Sequence, residues 1–174
     1  MGKRSNMERK ALDFYPTPNA ALLPLLDYLD PFKVYHEPCA GDGSLINHLE
    51  HHNLSVTGRG DINPKRGDIK CEDAIELKYC FGDVFITNPP YQWSLLSPIM
   101  LNLYNISPTW LLLPADMMHN KRMGEHIEKC KIIVSVGRVK WIPDSPQGGM
   151  ENSAWYLFDA RHNGSTDFYG RGQA

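Results

Sequence analysis

Cysteine is sparse in this 174-residue chain and carries no pattern. Cys39, Cys71, Cys80 and Cys130 show no C-x-x-C spacing and have no paired histidines around them. That excludes a zinc ribbon or finger and a secreted disulfide frame, and leaves reduced cytosolic thiols. The histidines, at positions 36, 48, 51, 52, 119, 126 and 162, also lack a partner pattern and read as surface or core residues, so no metal is expected. Long apolar runs are missing. The stretch Trp110 to Pro114 is far too short to span a bilayer. Met1 to Ala11 is polar and basic and does not resemble a signal peptide. A cytoplasmic protein without membrane contact is therefore expected. No internal repeat or low-complexity block is present. An excess of positive charge is lacking too: the net charge is -2, so any contact with a polyanion must come from local basic patches. What remains is ordinary for a soluble domain, 42% hydrophobic and 22% charged, and long enough for one real core.

The most constrained stretch is Asp83 to Tyr91. Val84, Phe85 and Ile86 are β-branched or aromatic, and the run is short, as in a buried strand. Asn88-Pro89-Pro90-Tyr91 follows. Two consecutive prolines fix φ twice, remove two backbone donors and hold the chain extended. Such a turn can present the Asn88 amide oxygen, the Pro89 carbonyl and the Tyr91 ring in one geometry. Two acceptors beside a flat ring suit a planar amino group with two N–H bonds to give. The plainer alternative is an Asn that caps the next helix.

Upstream, Met1 to Leu12 carries Lys3, Arg4, Arg9 and Lys10 and reads as a mobile basic arm. Thr17-Pro18 has the form of a helix start, with a capping hydroxyl and then proline at the first helical position. Ala21, Leu22, Leu25, Leu26 and Leu29 continue it as an apolar stripe until Pro31. A strand over Phe32–Glu37 runs into Glu37-Pro38-Cys39-Ala40-Gly41-Asp42-Gly43-Ser44, whose glycines permit a tight turn and close approach to a ligand. A helix over Leu45–His52 completes a strand, glycine turn and helix, the opening unit of a doubly wound sheet. The next strand, Leu54–Gly60, ends at Asp61, where nucleoside-binding α/β folds place an acid for ribose hydroxyls; an Asx-turn is the alternative. Asp73 and Ala74 follow in a polar stretch. Further on come a helix through Leu95–Leu103, a strand over Trp110–Leu113, an amphipathic helix over Asp116–Glu128, and strands over Lys131–Val136 and Ala154–Phe158. Beyond Ala160 the chain is polar and Gly-rich and is expected to fray.

Taken in order, Glu37-Pro38-Cys39-Ala40-Gly41-Asp42-Gly43 and Asn88-Pro89-Pro90-Tyr91 resemble the cofactor and catalytic motifs of S-adenosylmethionine-dependent DNA adenine-N6 methyltransferases. Asp13-Phe14-Tyr15-Pro16-Thr17-Pro18 resembles the N-terminal cofactor motif of the small phage-type members. Arg138-Val139-Lys140-Trp141 and Glu151-Asn152-Ser153-Ala154-Trp155 also resemble that group. The resemblance covers residues 13–159, leaving 1–12 as an arm and 160–174 as a tail. It implies an α/β, doubly wound, seven-stranded and mostly parallel sheet with one antiparallel strand, the poorly marked seventh strand lying near 69–71. It further implies S-adenosylmethionine as cofactor, held by Tyr15, Thr17, Pro18, Glu37, Pro38, Cys39, Ala40, Gly41, Gly43, Asp61, Ile62, Asp73, Ala74 and Asn88. In that set Thr17 meets the carboxylate, Asp61 the ribose and Asp73 the adenine amino group. Asn88, Pro89, Pro90 and Tyr91 would take the target base.

Contacts to DNA, double- or single-stranded, fall to Lys121, Arg122, Arg138, Lys140, Trp141 and Gln147, in a monomer or weak homodimer. The chain has no stretch for a separate recognition domain, so a short or relaxed target context is expected. Methylation of adenine in RNA, cytosine N4 or a protein glutamine uses the same tetrapeptide and stands as the alternative, as does a cofactor-binding protein without turnover.

Overall fold

Short runs rich in β-branched and aromatic residues alternate with apolar stripes of helical period, and the strands come out parallel and central. In the computed structural model, which describes residues 15–141, 149 and 151–172, the strands are β1 (Val34–Glu37), β2 (Ser55–Asp61), β3 (Lys70–Cys71), β4 (Val84–Thr87), β5 (Thr109–Pro114), β6 (Cys130–Arg138), β7 (Asn152–Phe158) and β8 (Asp167–Tyr169). They form one sheet in the order β3-β2-β1-β4-β5-β7-β6-β8. Every pairing is parallel except those of β7, which runs against both β5 and β6. The order reverses between β1 and β4, the place where open α/β sheets leave a crevice at the carboxyl ends of their strands.

Helices cover both faces. On one face α1 (Asn19–Leu22) and α2 (Ser44–His51) pack Leu22, Leu45, Ile46 and Leu49 against Trp110, Leu112, Val134 and Trp155 of the sheet. The indole N–H of the fully buried Trp155 donates to the Ala21 carbonyl at 2.8 Å, tying α1 to β7. On the other face α3 (Trp93–Ile106) sets Leu96, Met100 and Tyr104 against Leu111, Leu113, Ile133 and Phe158. His126, in α4 (Gly124–Ile127), is buried there between the Ser97 hydroxyl at 3.0 Å and the Tyr104 hydroxyl at 3.1 Å, a packed polar knot between helices.

Four local expectations are corrected. Thr17 does not cap a helix: the cap position is Pro18, without a side-chain cap bond, and the Thr17 hydroxyl is used elsewhere. The stripe from Ala21 to Leu29 is α-helical only to Leu22 and then a 3-10 helix over Leu23–Tyr28, because Pro24 has no N–H to continue the ladder. The segment read as one helix over 116–128 is broken into 3-10 turns at Ala115–His119 and Lys121–Met123 and the short α4, with the Asn120 side chain accepting from the Arg122 N–H at the break. The polar stretch beyond Ala160 is not simply frayed. It returns to the sheet as β8, an eighth strand at the free edge of β6, anchored by the Thr166 hydroxyl on the Cys130 carbonyl (2.8 Å) and by Tyr169 against Tyr28.

Candidate cofactor and target-base site

The strand ends converge on one edge of the sheet. Glu37 closes β1, Asp61 closes β2, and Asn88-Pro89-Pro90-Tyr91 leaves β4 beside β1. The turn after β1 needs its glycines: Gly41 and Gly43 both hold the left-handed backbone (φ 54° and 80°). At Gly43 a Cβ would also strike the guanidinium of Arg66, which lies over the turn and donates to Asn47 Oδ1 at 2.8 Å.

Asp61 serves as the clasp of this turn. One carboxylate oxygen accepts the Gly41 N–H and the other the Asn63 N–H, both at 2.7 Å. The Asx-turn, the alternative for this position, is therefore present, and the same side chain also fixes the glycine turn across β1 and β2. Each oxygen retains acceptor capacity for a ligand hydroxyl. Next to Asp61, Ile62 is 61% exposed, a large apolar side chain uncovered beside the turn. Asp73 opens a second turn, its side chain accepting the Ile75 N–H at 2.9 Å. Asn102 of α3 clamps that turn by donating to the Ala74 and Leu77 carbonyls at 2.9 and 3.1 Å. Nothing in the sequence flags Asn102 except that it is an amide within an apolar helix.

Glu37 is 2% exposed, and its Oε2 has no hydrogen-bond partner among the described residues. Burial, then the charges of Asp61 and Asp42, push its carboxyl well above the ordinary carboxylate range. An unpartnered buried carboxyl oxygen of this kind, an acceptor or an O–H donor according to its protonation, carries a free-energy penalty until a partner reaches it.

At the end of β4, the Asn88 side chain does not cap α3; the cap position is Gln92. Its amide NH₂ donates to the Thr17 hydroxyl at 3.2 Å, and its Oδ1 accepts the Tyr91 hydroxyl at 3.0 Å. Because Thr17 takes the NH₂ end, the amide oxygen is directed to the Tyr91 side. The Thr17 hydroxyl keeps its own proton to donate onward. This bond spans 71 positions of sequence, and no local pattern announces it. Pro89 is buried, and Pro18, Pro90 and Tyr15 are half-buried; Pro38 and Ala40 are buried under the turn, with Cys39 half-buried.

The expected nucleic-acid residues are less concentrated. Lys121 and Arg122 are exposed on the 3-10 turn after Asn120; Arg138 and Lys140 are exposed at and just beyond the end of β6. Trp141 instead packs partly against the core. Gln147 lies outside the described residues. Among the described residues no cluster of three or more His, Cys, Asp or Glu side chains is arranged to hold a metal ion, and no helix is long and apolar enough to cross a membrane.

No protein-family model and no curated protein matches the sequence. Solved structures do. A Pyrococcus horikoshii protein assigned as an RNA methyltransferase aligns with TM-score 0.56 at 20% identity, over 85% of this chain and 87% of that one. The modification subunit assigned to a type I restriction enzyme of Vibrio vulnificus aligns with TM-score 0.58 at 15% identity, over 92% of this chain and 48% of that one. A dimethyladenosine transferase from Plasmodium falciparum aligns with TM-score 0.54 at 18% identity, over 83% and 62%. The chain has the class I methyltransferase fold. It spans less than two thirds of the length of the latter two proteins, and at these identities the likeness is one of fold. The seven strands expected from the sequence are all present in the sheet, with one antiparallel strand among them and β8 added at the edge.

Proposed function

We propose that the protein transfers the methyl group of S-adenosylmethionine to the exocyclic N6 amino group of adenine in DNA. The observation that carries this reading is the juxtaposition of two turns at the crevice between β1 and β4: the glycine turn clasped by Asp61, and the Asn88–Tyr91 turn, whose amide is oriented by Thr17 with its oxygen towards the Tyr91 hydroxyl. The donor set fits the cofactor. Acceptors from Asp61 and Asp73 suit hydroxyl and amino donors, the uncovered Ile62 offers an apolar surface for a ring, and the unpartnered Glu37 Oε2 suits a polar group reaching into the turn. S-adenosylmethionine, when bound, supplies an electrophilic methyl group on a sulfonium centre.

The chain's own task is then positioning and electrostatics. The N6 lone pair of adenine is delocalised into the ring and is a weak nucleophile. Asn88 Oδ1 and the Pro89 carbonyl, each accepting one N–H, favour the pyramidal and localised amine, an interaction that strengthens towards the transition state. Thr17 holds the Asn88 amide in the orientation this requires. Tyr91 supplies a ring for an extruded base, since an adenine inside a duplex is out of reach. Its hydroxyl occupies one lone pair of Asn88 Oδ1, and the second lone pair or a shift of the tyrosine accommodates the amine.

Methylation of adenine in RNA is the second reading. It is favoured by the names of similar structures, which include an RNA methyltransferase and a 23S rRNA methyltransferase. Incubation with radiolabelled cofactor and separate DNA, RNA and protein substrates tests both. Label in DNA adenine is the expected result. Label confined to RNA selects the second reading, and label in none of the three overturns both. Sequencing of the methylated DNA then reads the context, expected to be short or relaxed. A single modified motif of about six base pairs or more would need more base-edge contacts than Arg138, Lys140 and Gln147 can supply.

A further inference from the structure

A second concavity lies on the same edge of the sheet, outside the site described above. It has a volume of about 530 Å³ and is bounded by the 3-10 turn after β5 on one side and by β6, β7 and β8 on the other. That size is typical of a cavity holding a small ligand. His119, Arg138, Asn152, Phe168 and Arg171 all line it, and among the described residues no acidic side chain does. Two carboxylates, Asp116 and Glu151, line a smaller neighbouring cavity that shares His119. Among the described residues neither Arg138 nor Arg171 has a carboxylate within ion-pair distance.

The placement of these groups follows from β8. Its register sets Phe168 opposite Ile133, on the cavity face, while Tyr169 turns to the other face against Tyr28. Phe168 is left 61% exposed. Arg171 comes to the wall because β6 is irregular between Ser135 and Gly137 and Gly137 takes φ 84°. A Cβ there would lie 3.2 Å from the guanidinium, so glycine lets the cation lie close against the strand. An exposed aromatic ring, two guanidiniums without a carboxylate partner among the described residues, and an amide form a set that matches one nucleotide: ring on base, cations on phosphate, amide on base edge.

We propose that this cavity binds a nucleotide of the DNA strand that carries the target adenine, with Phe168 against its base and Arg138 and Arg171 on its phosphates. The proposal rests on the DNA reading above. β4, which leads into Asn88 and Tyr91, is separated by β5 and β7 from β6, which ends in Arg138, so the ends of these two strands lie three strand spacings apart, about 14 Å, along one edge. One extended strand can reach from one to the other.

Fluorescence anisotropy with the full chain and a labelled mixed-sequence DNA, as duplex and as single strand, tests this. Phe168→Ala and Arg171→Ala should each weaken binding about fivefold or more, and Phe168→Trp should restore it. Arg171→Ala should also reduce the slope of log affinity against log salt by about one, whereas Phe168→Ala should leave the slope alone. Melting temperature and calorimetric affinity for S-adenosylhomocysteine should be unchanged throughout. DNA affinities within twofold of wild type for both alanine variants would overturn the proposal. So would a parallel loss of affinity for S-adenosylhomocysteine, or a Phe168→Trp variant as impaired as Phe168→Ala. The enzymatic reading fails separately: wild type that binds DNA but methylates no nucleoside defeats that reading, while weakened binding by the two variants still supports the cavity as a DNA contact.

Discussion

Replacing Asp61 by alanine should damage both the empty protein and its complex with cofactor, by different amounts. In the empty protein the carboxylate accepts two backbone N–H groups at 2.7 Å, from Gly41 and Asn63. A hydrogen bond to a charged acceptor contributes about 1.5–3 kcal/mol. Asp61 is only half-buried, so water can reach the freed donors, and a total loss of about 2 kcal/mol is reasonable. For a chain of this length that corresponds to a fall in melting temperature of about 4–8 °C. Cofactor binding loses, in addition, a charged acceptor for the ribose hydroxyls, again about 1.5–3 kcal/mol, or roughly 10- to 150-fold in affinity. Asp61→Asn should fall between, because its single acceptor oxygen can keep one of the two backbone bonds while its NH₂ opposes the other. Thermal melts give the first quantity and calorimetry with S-adenosylhomocysteine the second. A folded Asp61→Ala protein whose affinity lies within twofold of wild type would refute the assignment of Asp61 to the ribose.

Asn88→Ala should lower turnover by about two to three orders of magnitude with a much smaller loss of cofactor affinity, since its transition-state contact is assigned to the target amine; near-native turnover would reduce it to a structural amide. Tyr91→Phe should keep most activity, because the ring is retained and only the hydroxyl on Asn88 Oδ1 is lost, whereas Tyr91→Ala should raise the KM for DNA; equal losses in the two variants would mean that the hydroxyl, not the ring, matters. Glu37 has a carboxyl raised above its ordinary value of 4.5, so its contribution to stability is present below that pH and is lost as pH rises through the folded-state value. Melting curves of wild type should therefore decline over that interval relative to Glu37→Gln, and parallel pH profiles for the two would contradict the burial argument.

Much of this arrangement was legible in the sequence because it rests on local chemistry. Val84–Thr87 followed by two prolines can hardly be anything but a strand ending in a stiff turn, and Gly41 and Gly43 after an acid-terminated strand announce a tight loop. The less legible parts depend on long-range contacts. Thr17 has a sequence suited to a helix cap, yet its hydroxyl meets Asn88 because α1 is fastened to the sheet by Trp155 and Ala21. Asn102 holds the Asp73 turn from a helix whose period reports only packing. Asp167–Tyr169 has too few residues for a strand signal and is ordered by the free edge of β6, which a sequence pattern does not reveal. The 116–128 stripe has helical period, but the Asn120 side chain bonds the backbone locally and competes with the ladder.

The central claim is methyl transfer to adenine N6 through Asn88. Its most direct test is to incubate purified protein with DNA and S-adenosylmethionine deuterated in the methyl group, digest the DNA to nucleosides and identify the labelled species by mass spectrometry. We expect deuterium in N6-methyladenine with wild type, appearing about two to three orders of magnitude more slowly with Asn88→Ala. Label on cytosine, or label on adenine that persists undiminished in Asn88→Ala, would contradict it.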